Sequence, residues 1–210
     1  MIQYQNVLVL APHTDDGELG CGGFISRLLE GGSKVYYAAF STAQESVPEG
    51  FDKDILKTEV RAATKVLGIA PEHLLVYNFQ VRKLNYVRQE ILEVLITLRK
   101  KVHFDLILMP SLNDLHQDHK TIAEEGLRAF KQTNILCYEL IWNNLSFNTQ
   151  CFVKLEQRHI LQKAKALQEY KSQAKRDYMS EEFIFSLART RGVQIGCSFA
   201  EAFEVVRKIV

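Results

Sequence analysis

The chain has no excess of charge of one sign. Its 26 Lys and Arg are set against 25 Asp and Glu, a formal net charge of +1 over 210 residues. That balance argues against broad electrostatic affinity for nucleic acid or an anionic membrane. Basic residues do concentrate between Lys154 and Arg191, but Glu156, Glu169, Asp177, Glu181 and Glu182 interleave with them, as on a solvated helix face. There is no C-x-x-C pair. The four cysteines Cys21, Cys137, Cys151 and Cys197 are scattered, so reduced and mostly buried thiols are expected, not a disulfide framework. Long apolar runs are lacking as well. No positively charged leader precedes an apolar stretch, and residues 7–11 are far too short for a signal core or a membrane span. A cytoplasmic protein without stable membrane insertion is therefore expected. Internal repeats, low-complexity tracts and a dividing linker are also missing. What is left is 47% hydrophobic and 24% charged, the profile of one globular domain spanning residues 1–210.

Two short segments carry most of the chemical information. Ala11-Pro12-His13-Thr14-Asp15-Asp16-Gly17 directly follows the apolar run Asn6–Leu10, and Asn113-Asp114-Leu115-His116-Gln117-Asp118-His119 follows a second one, Leu106–Pro110. Each places imidazoles and carboxylates where a buried strand gives way to a loop. Those are the ligand atoms a borderline cation such as Zn²⁺ takes, and a catalytic site needs only three of them. Adjacent carboxylates such as Asp15 and Asp16 repel unless a cation or a proton sits between them. A hydrolase is the leading expectation.

The elements read as an alternation. Strands are expected at Asn6–Leu10, Lys34–Phe40, Leu74–Tyr77, Phe104–Met109 and Ile135–Leu140. Helices are expected at Gly20–Glu30, Asp52–Leu67, Tyr86–Lys100, Lys120–Phe130, Lys154–Tyr170 and Glu181–Arg189. Such alternation predicts an α/β, Rossmann-like, mostly parallel sheet with helices on both faces. Ligands then bind outside the carboxyl ends of the strands, near a topological switch point. Both His-bearing segments follow strands at that edge. The polar stretch Trp142–Thr149 reads as a loop flanking the same cleft.

Each acid needs a role if three ligands and a water set the chemistry. If Asp16 holds the metal, its neighbour Asp15 can reach the bound water and take its proton as it attacks a carbonyl. The i, i+3 spacing of His116 and His119 allows one to hold the metal while the other faces the reacting carbonyl. A nucleotide-binding Rossmann-like module using Gly17, Gly20, Gly22 and Gly23 is a rival reading. It fits poorly, since Asp15, Asp16 and Glu18 occupy the approach and the G-x-G-x-x-G spacing is absent. An Fe(II) site of two His and one Asp is a more distant one, because such sites usually sit on antiparallel barrels.

At these residues the sequence resembles the PIG-L/LmbE-like family of zinc-dependent sugar de-N-acetylases. The resemblance rests on His13-Thr14-Asp15-Asp16 and His116-Gln117-Asp118-His119, which match the family's two motifs in type, spacing and order. It continues through Gly20-Cys21-Gly22-Gly23, Ala62-Ala63, Leu67-Gly68, Tyr170-Lys171-Ser172-Gln173, Arg191-Gly192 and Ala200-Glu201-Ala202-Phe203. The resemblance implies one Zn²⁺ per chain held by His13, Asp16 and His119, with Asp15 as general base and His116 as stabiliser or general acid. Asp114 and Asp118 become candidates for orienting the imidazoles. An N-acetylated amino sugar is the implied substrate; an N-formyl or larger acyl amide would need the same ligands. Glu45, Arg61 and Arg82 are candidates for contacting the sugar, with Lys83, Arg88 and Arg189 behind them. A homo-oligomer is compatible with the sequence. His116 is expected to set the alkaline limb of a bell-shaped pH profile. Two departures stand out. Thr14 replaces the family's usual proline, and Gly17 moves the next acid one place on, to Glu18.

Overall fold

The computed structural model describes residues 4–209. The first apolar run forms β1 (Asn6–Ala11), in which Val7 through Ala11 are fully buried. Its side chains do not alternate with polar ones because both faces are covered. Val7 and Val9 belong to one core cluster, Leu8 and Leu10 to another on the opposite face. After β1 come α1 (Asp16–Glu30), β2 (Lys34–Ala39), α2 (Ile55–Leu67), β3 (Leu74–Val76) and α3 (Arg88–Lys101). The chain continues through β4 (Leu106–Pro110), α4 (Gln117–Ala129), β5 (Asn134–Tyr138), β6 (Cys151–Leu155), α5 (Gln157–Leu167), α6 (Glu181–Val193) and β7 (Phe199–Arg207).

The strands form one sheet in the order β3-β2-β1-β4-β5-β7-β6. β1 to β5 are mutually parallel, and β7 runs antiparallel between β5 and β6. This is the α/β Rossmann-like sheet flanked by helices that the alternation predicts. The strand order turns back between β1 and β4. From β1 the chain crosses through α1, which packs with α2 and α5; from β4 it crosses through α4, which packs with α3. Their departure to opposite faces opens a crevice at the carboxyl ends of the two strands. Both His-bearing segments lie there.

Several boundaries differ from expectation. α1 starts at Asp16 instead of Gly20 and is kinked at Cys21, where φ is −147°. The kink releases the N–H groups of Gly23 and Phe24, which donate to the buried Glu201 carboxylate at 3.0 and 2.7 Å. A Cβ on Gly20 would lie 2.2 Å from the Tyr138 ring. That glycine therefore serves close packing of helix on sheet, not a phosphate. The helix expected from Lys154 begins at Gln157, because Lys154 and Leu155 close β6. β6 and β7 themselves were not expected. β7 carries Glu201 and Glu204 between its Phe and Val residues, and these acids interrupt the apolar pattern by which a strand is read. Both acids are nonetheless buried, with Glu201 paired to Lys163 at 2.8 Å and Glu204 accepting from the Ser111 hydroxyl at 2.5 Å. All four cysteines are free thiols. Among the described residues no helix is long and apolar enough to cross a membrane.

Candidate metal centre

The turn from β1 into α1 places His13, Asp15 and Asp16 at the crevice. The backbone N–H of His13 donates to Asp16 Oδ2 at 2.8 Å, which folds the turn back on itself. The same oxygen lies 3.1 Å from His13 Nδ1 and 3.2 Å from His119 Nε2, and these two nitrogens are 3.2 Å apart. Ligands bound at about 2.0–2.2 Å in tetrahedral geometry sit roughly 3.3 Å from one another. Three atoms forming a triangle of that size fit one small cation.

Two buried carboxylates hold the imidazoles from behind. Asp118 Oδ2 meets His13 Nε2 at 3.0 Å and Asp114 Oδ2 meets His119 Nδ1 at 2.9 Å. Each ring thus has one nitrogen committed to a carboxylate and the other turned to the triangle, the arrangement that fixes the tautomer of a metal-ligating histidine. Asp118 also accepts the backbone N–H groups of Arg82 and Leu84 at 2.6 and 3.2 Å, and Asp114 Oδ1 accepts that of His116 at 2.8 Å.

The electrostatics follow. Burial depresses both imidazole pKa values, but Asp16 with Asp118 and Asp16 with Asp114 outweigh it, raising His13 to about 9 and His119 to about 10. Burial raises Asp16 and Asp118, yet the histidines, together with the backbone donors at Asp118, hold both carboxyls below their usual range. Asp15 differs from its neighbour. It stands at the N-cap of α1 without capping it, and burial followed by the Asp16 charge raises it to about 6. His116 caps α4 instead: its Nδ1 accepts the Asp118 N–H at 3.2 Å. Burial and the two neighbouring imidazoles push its pKa down to about 4, so the ring is neutral near pH 7 and carries its proton on Nε2. One ring nitrogen of His116 lies within 4.8 Å of those of His13 and His119.

Beneath the turn, Thr14 is fully buried and its carbonyl accepts from the hydroxyls of Tyr37 at 2.9 Å and Tyr170 at 2.7 Å. Both hydroxyls also contact the buried Glu18 carboxyl. A Cβ on Gly17 would lie 2.6 Å from the Tyr37 ring, so Tyr37 fills the space that a side chain at position 17 would take. Four contacts share two tyrosine protons. A protonated Glu18 supplies a third, and burial raises its pKa to about 8.

The centre opens into a cleft of about 350 Å³, lined among others by Asp15, Asp16, Val81, Arg82, His116, Trp142, Asn143, Gln173, Arg176 and Tyr178. That volume suits a small-molecule site, which runs roughly 300–1,000 Å³. Trp142 stacks on Tyr178 with ring centroids 4.0 Å apart and planes 10° from parallel. Of the other residues named from the sequence, Arg82 reaches the cleft but Glu45 and Arg61 do not. Glu45 is solvent-exposed beside Asn78 and Gln80, and Arg61 is exposed on α2. Lys83 is exposed, Arg88 pairs with Glu124 and Glu125, and Arg189 donates to the Ser198 carbonyl. Arg176 and Tyr178 were missed. Arg176 belongs to the basic stretch read as a solvated helix face, but it lies between α5 and α6, where a short 3₁₀ turn follows Tyr170 and directs the chain to the cleft.

Comparison with known proteins gives the family and the fold. Residues 8–130 match the family described as PIG-L, GlcNAc-PI de-N-acetylase, and the chain belongs to that family. It is a deacetylase of the PIG-L/LmbE type, a metal-dependent amide hydrolase with a candidate His-based metal site. An uncharacterized deacetylase, YaiS, of Escherichia coli is 27% identical over 175 residues, covering 80% of this chain and 91% of that protein. The N,N'-diacetylchitobiose deacetylase of Pyrococcus horikoshii, solved with an inhibitor, has a TM-score of 0.81 at 22% identity, with 97% of this chain and 84% of that one covered. The 4-carboxy-2-hydroxymuconate hydratase of Pseudomonas putida KT2440 has a TM-score of 0.80 at 18% identity over 98% of both chains. The sheet and its helices are thus shared with a protein of a different printed activity, and the chemistry has to be argued from the site.

Proposed function

We propose that this chain removes an N-acetyl group from an N-acetylated amino sugar, using one zinc ion held by His13, Asp16 and His119. The observation that carries this reading is the triangle of His13 Nδ1, Asp16 Oδ2 and His119 Nε2, with edges of 3.1–3.2 Å, backed by Asp114 and Asp118. Zinc bound there supplies Lewis acidity toward an amide carbonyl and a water with a pKa near ~7.

The chain's own residues supply the rest. Asp15, next to the ligand Asp16 and facing the cleft, acts as the general base; its raised pKa of about 6 still leaves it ionised at neutral pH. His116 donates through Nε2–H to the oxygen on which charge develops, which requires only a neutral ring. The leaving amine is protonated from Asp15 after it has taken the proton of the attacking water. Asn143 offers an amide group to sugar hydroxyls, and the Trp142–Tyr178 stack gives an apolar wall for a pyranose face.

The N-acetylated sugars named for the family and for the archaeal deacetylase support the substrate class. The test is metal analysis of the purified protein, followed by a screen for amine release over N-acetyl, N-formyl and longer N-acyl amino sugars. Release of acetate and free amine in equal amounts, abolished by chelation and lowered about 10²–10⁴-fold in Asp15→Asn, is the expected result. Preference for a formyl or longer acyl group would transfer the same mechanism to another amide.

A further inference from the structure

We propose that Tyr37 and Tyr170 are positioning residues for the reaction: their hydroxyls hold the turn from His13 to Gly17 and leave the Asp15 carboxylate free for the cleft. The proposal rests on the reading of Asp15 as the general base of a metal-dependent N-deacylase.

Asp15 sits where a carboxylate normally has another task. At a helix N-cap an Asp side chain accepts the N–H of the second or third helical residue, and its backbone is usually extended. Asp15 has φ −103° and ψ −11° and makes no such bond. The N–H of Gly17, the second residue of α1, goes instead to Tyr37 Oη at 3.1 Å. A hydroxyl from β2 thus does the capping, and Asp15 lines the cleft beside Asp16. Gly17 leaves room for this approach, since a Cβ there would lie 2.6 Å from Tyr37 Oη.

The same hydroxyl donates to the Thr14 carbonyl at 2.9 Å. It therefore ties the peptide before Asp15 to the peptide after Asp16, and one oxygen atom spans both acids. Tyr170, just past the end of α5, donates to the same carbonyl at 2.7 Å. A carbonyl oxygen has two lone pairs, and these two hydroxyls take both. The Glu18 carboxyl contacts both hydroxyls in turn and fixes their place. Tyr37 and Tyr170 are 0% and 1% exposed, so neither meets a substrate. They act through the turn. Without the Tyr37 hydroxyl the Gly17 N–H lacks its acceptor, and the Asp15 carboxylate is the cap at hand.

The test compares the parent with Tyr37→Phe, Tyr170→Phe and a control, Tyr138→Phe. The control removes an equally buried hydroxyl, one donated to the Leu10 carbonyl of β1 at 2.9 Å. Thermal melting and metal content verify that each variant is folded and loaded. The first readout needs no turnover: Co²⁺ in place of zinc gives visible d–d bands that report the ligand arrangement, and its titration gives an affinity. We expect altered bands and Co²⁺ binding weakened about 10-fold in Tyr37→Phe and Tyr170→Phe, with Tyr138→Phe like the parent. The second readout is acetate release from N-acetylglucosamine. Here kcat should fall about 10- to 100-fold in both variants with KM unchanged. In the Asp15→Asn background Tyr37→Phe should cost a further factor of about 2 at most, because the group it positions is already lost. Bands and kcat equal to the parent's in both variants would overturn the proposal. So would the same changes in Tyr138→Phe, or an undiminished further loss in the Asp15→Asn background. Should the parent release acetate from no N-acetylated sugar, altered Co²⁺ bands in the two variants would keep the hold on the turn and sink the deacetylase reading instead.

Discussion

His13 and Asp118, 105 residues apart in the chain, meet at 3.0 Å behind the candidate metal centre. The contact joins the two motifs directly, since Asp118 also binds the loop after β3 through the N–H groups of Arg82 and Leu84. Asp118→Asn keeps an oxygen for only one of these two backbone donors, which bond to different carboxylate oxygens, and loses the charge that polarises His13. Zinc affinity should fall about 10- to 100-fold, read by competition with a chromogenic chelator. Affinity equal to that of the parent would mean that the carboxylate serves the loop and not the imidazole.

Metal loading should itself be pH-dependent. In the metal-free protein His13 and His119 titrate at about 9 and about 10, so at pH 7 both rings carry protons that zinc must displace. Affinity is therefore expected to rise with pH up to about 10, with up to two protons released per zinc near neutrality. Calorimetry in buffers of different ionisation enthalpy measures that number directly. His119→Ala should bind zinc at least 100-fold more weakly while melting as a folded protein, because its ring lies in the first turn of α4 and in neither apolar core.

For His116 the structure changes what the pH profile should look like. A ring with pKa about 4 that accepts the Asp118 N–H at Nδ1 is neutral across the working range. Its deprotonation cannot then set the alkaline limb, contrary to the expectation from sequence. His116→Ala should keep its zinc and lose on the order of 10²–10³ in kcat, with the alkaline limb unmoved. A limb that flattens in this variant would restore the imidazolium acid.

Stability should report Glu18. Its folded pKa, raised by burial from 4.5 to about 8, means that the folded chain holds a proton which the unfolded chain releases at lower pH. The contribution is fully present below pH 4.5 and is lost as pH rises through about 8, with a slope of at most about 1.4 kcal/mol per pH unit. Denaturant melts of the metal-free protein between pH 5 and 9 should show this decline, and Glu18→Gln should flatten it. An equally steep decline in Glu18→Gln would assign it to other groups.

The sequence by itself determined the alternating strands and helices, the two buried runs that end in His- and Asp-bearing loops, and the type and order of the candidate metal-binding side chains. These are local properties. An apolar run without alternation means a strand covered on both faces, and a motif just after it must emerge at the sheet edge. The sequence could not separate Arg82 from Glu45 and Arg61, since which exposed-looking side chain reaches a cleft depends on how distant loops pack. Nor could it show β7, whose Glu201 and Glu204 are tolerable in a strand only because Lys163, Ser111 and the kinked backbone of α1 meet them. The sequence left His116 as stabiliser or general acid, and the lowered pKa that favours a neutral donor likewise depends on tertiary structure. That pKa is fixed by burial and by two imidazoles, one of them from the other motif, and no local pattern carries that field.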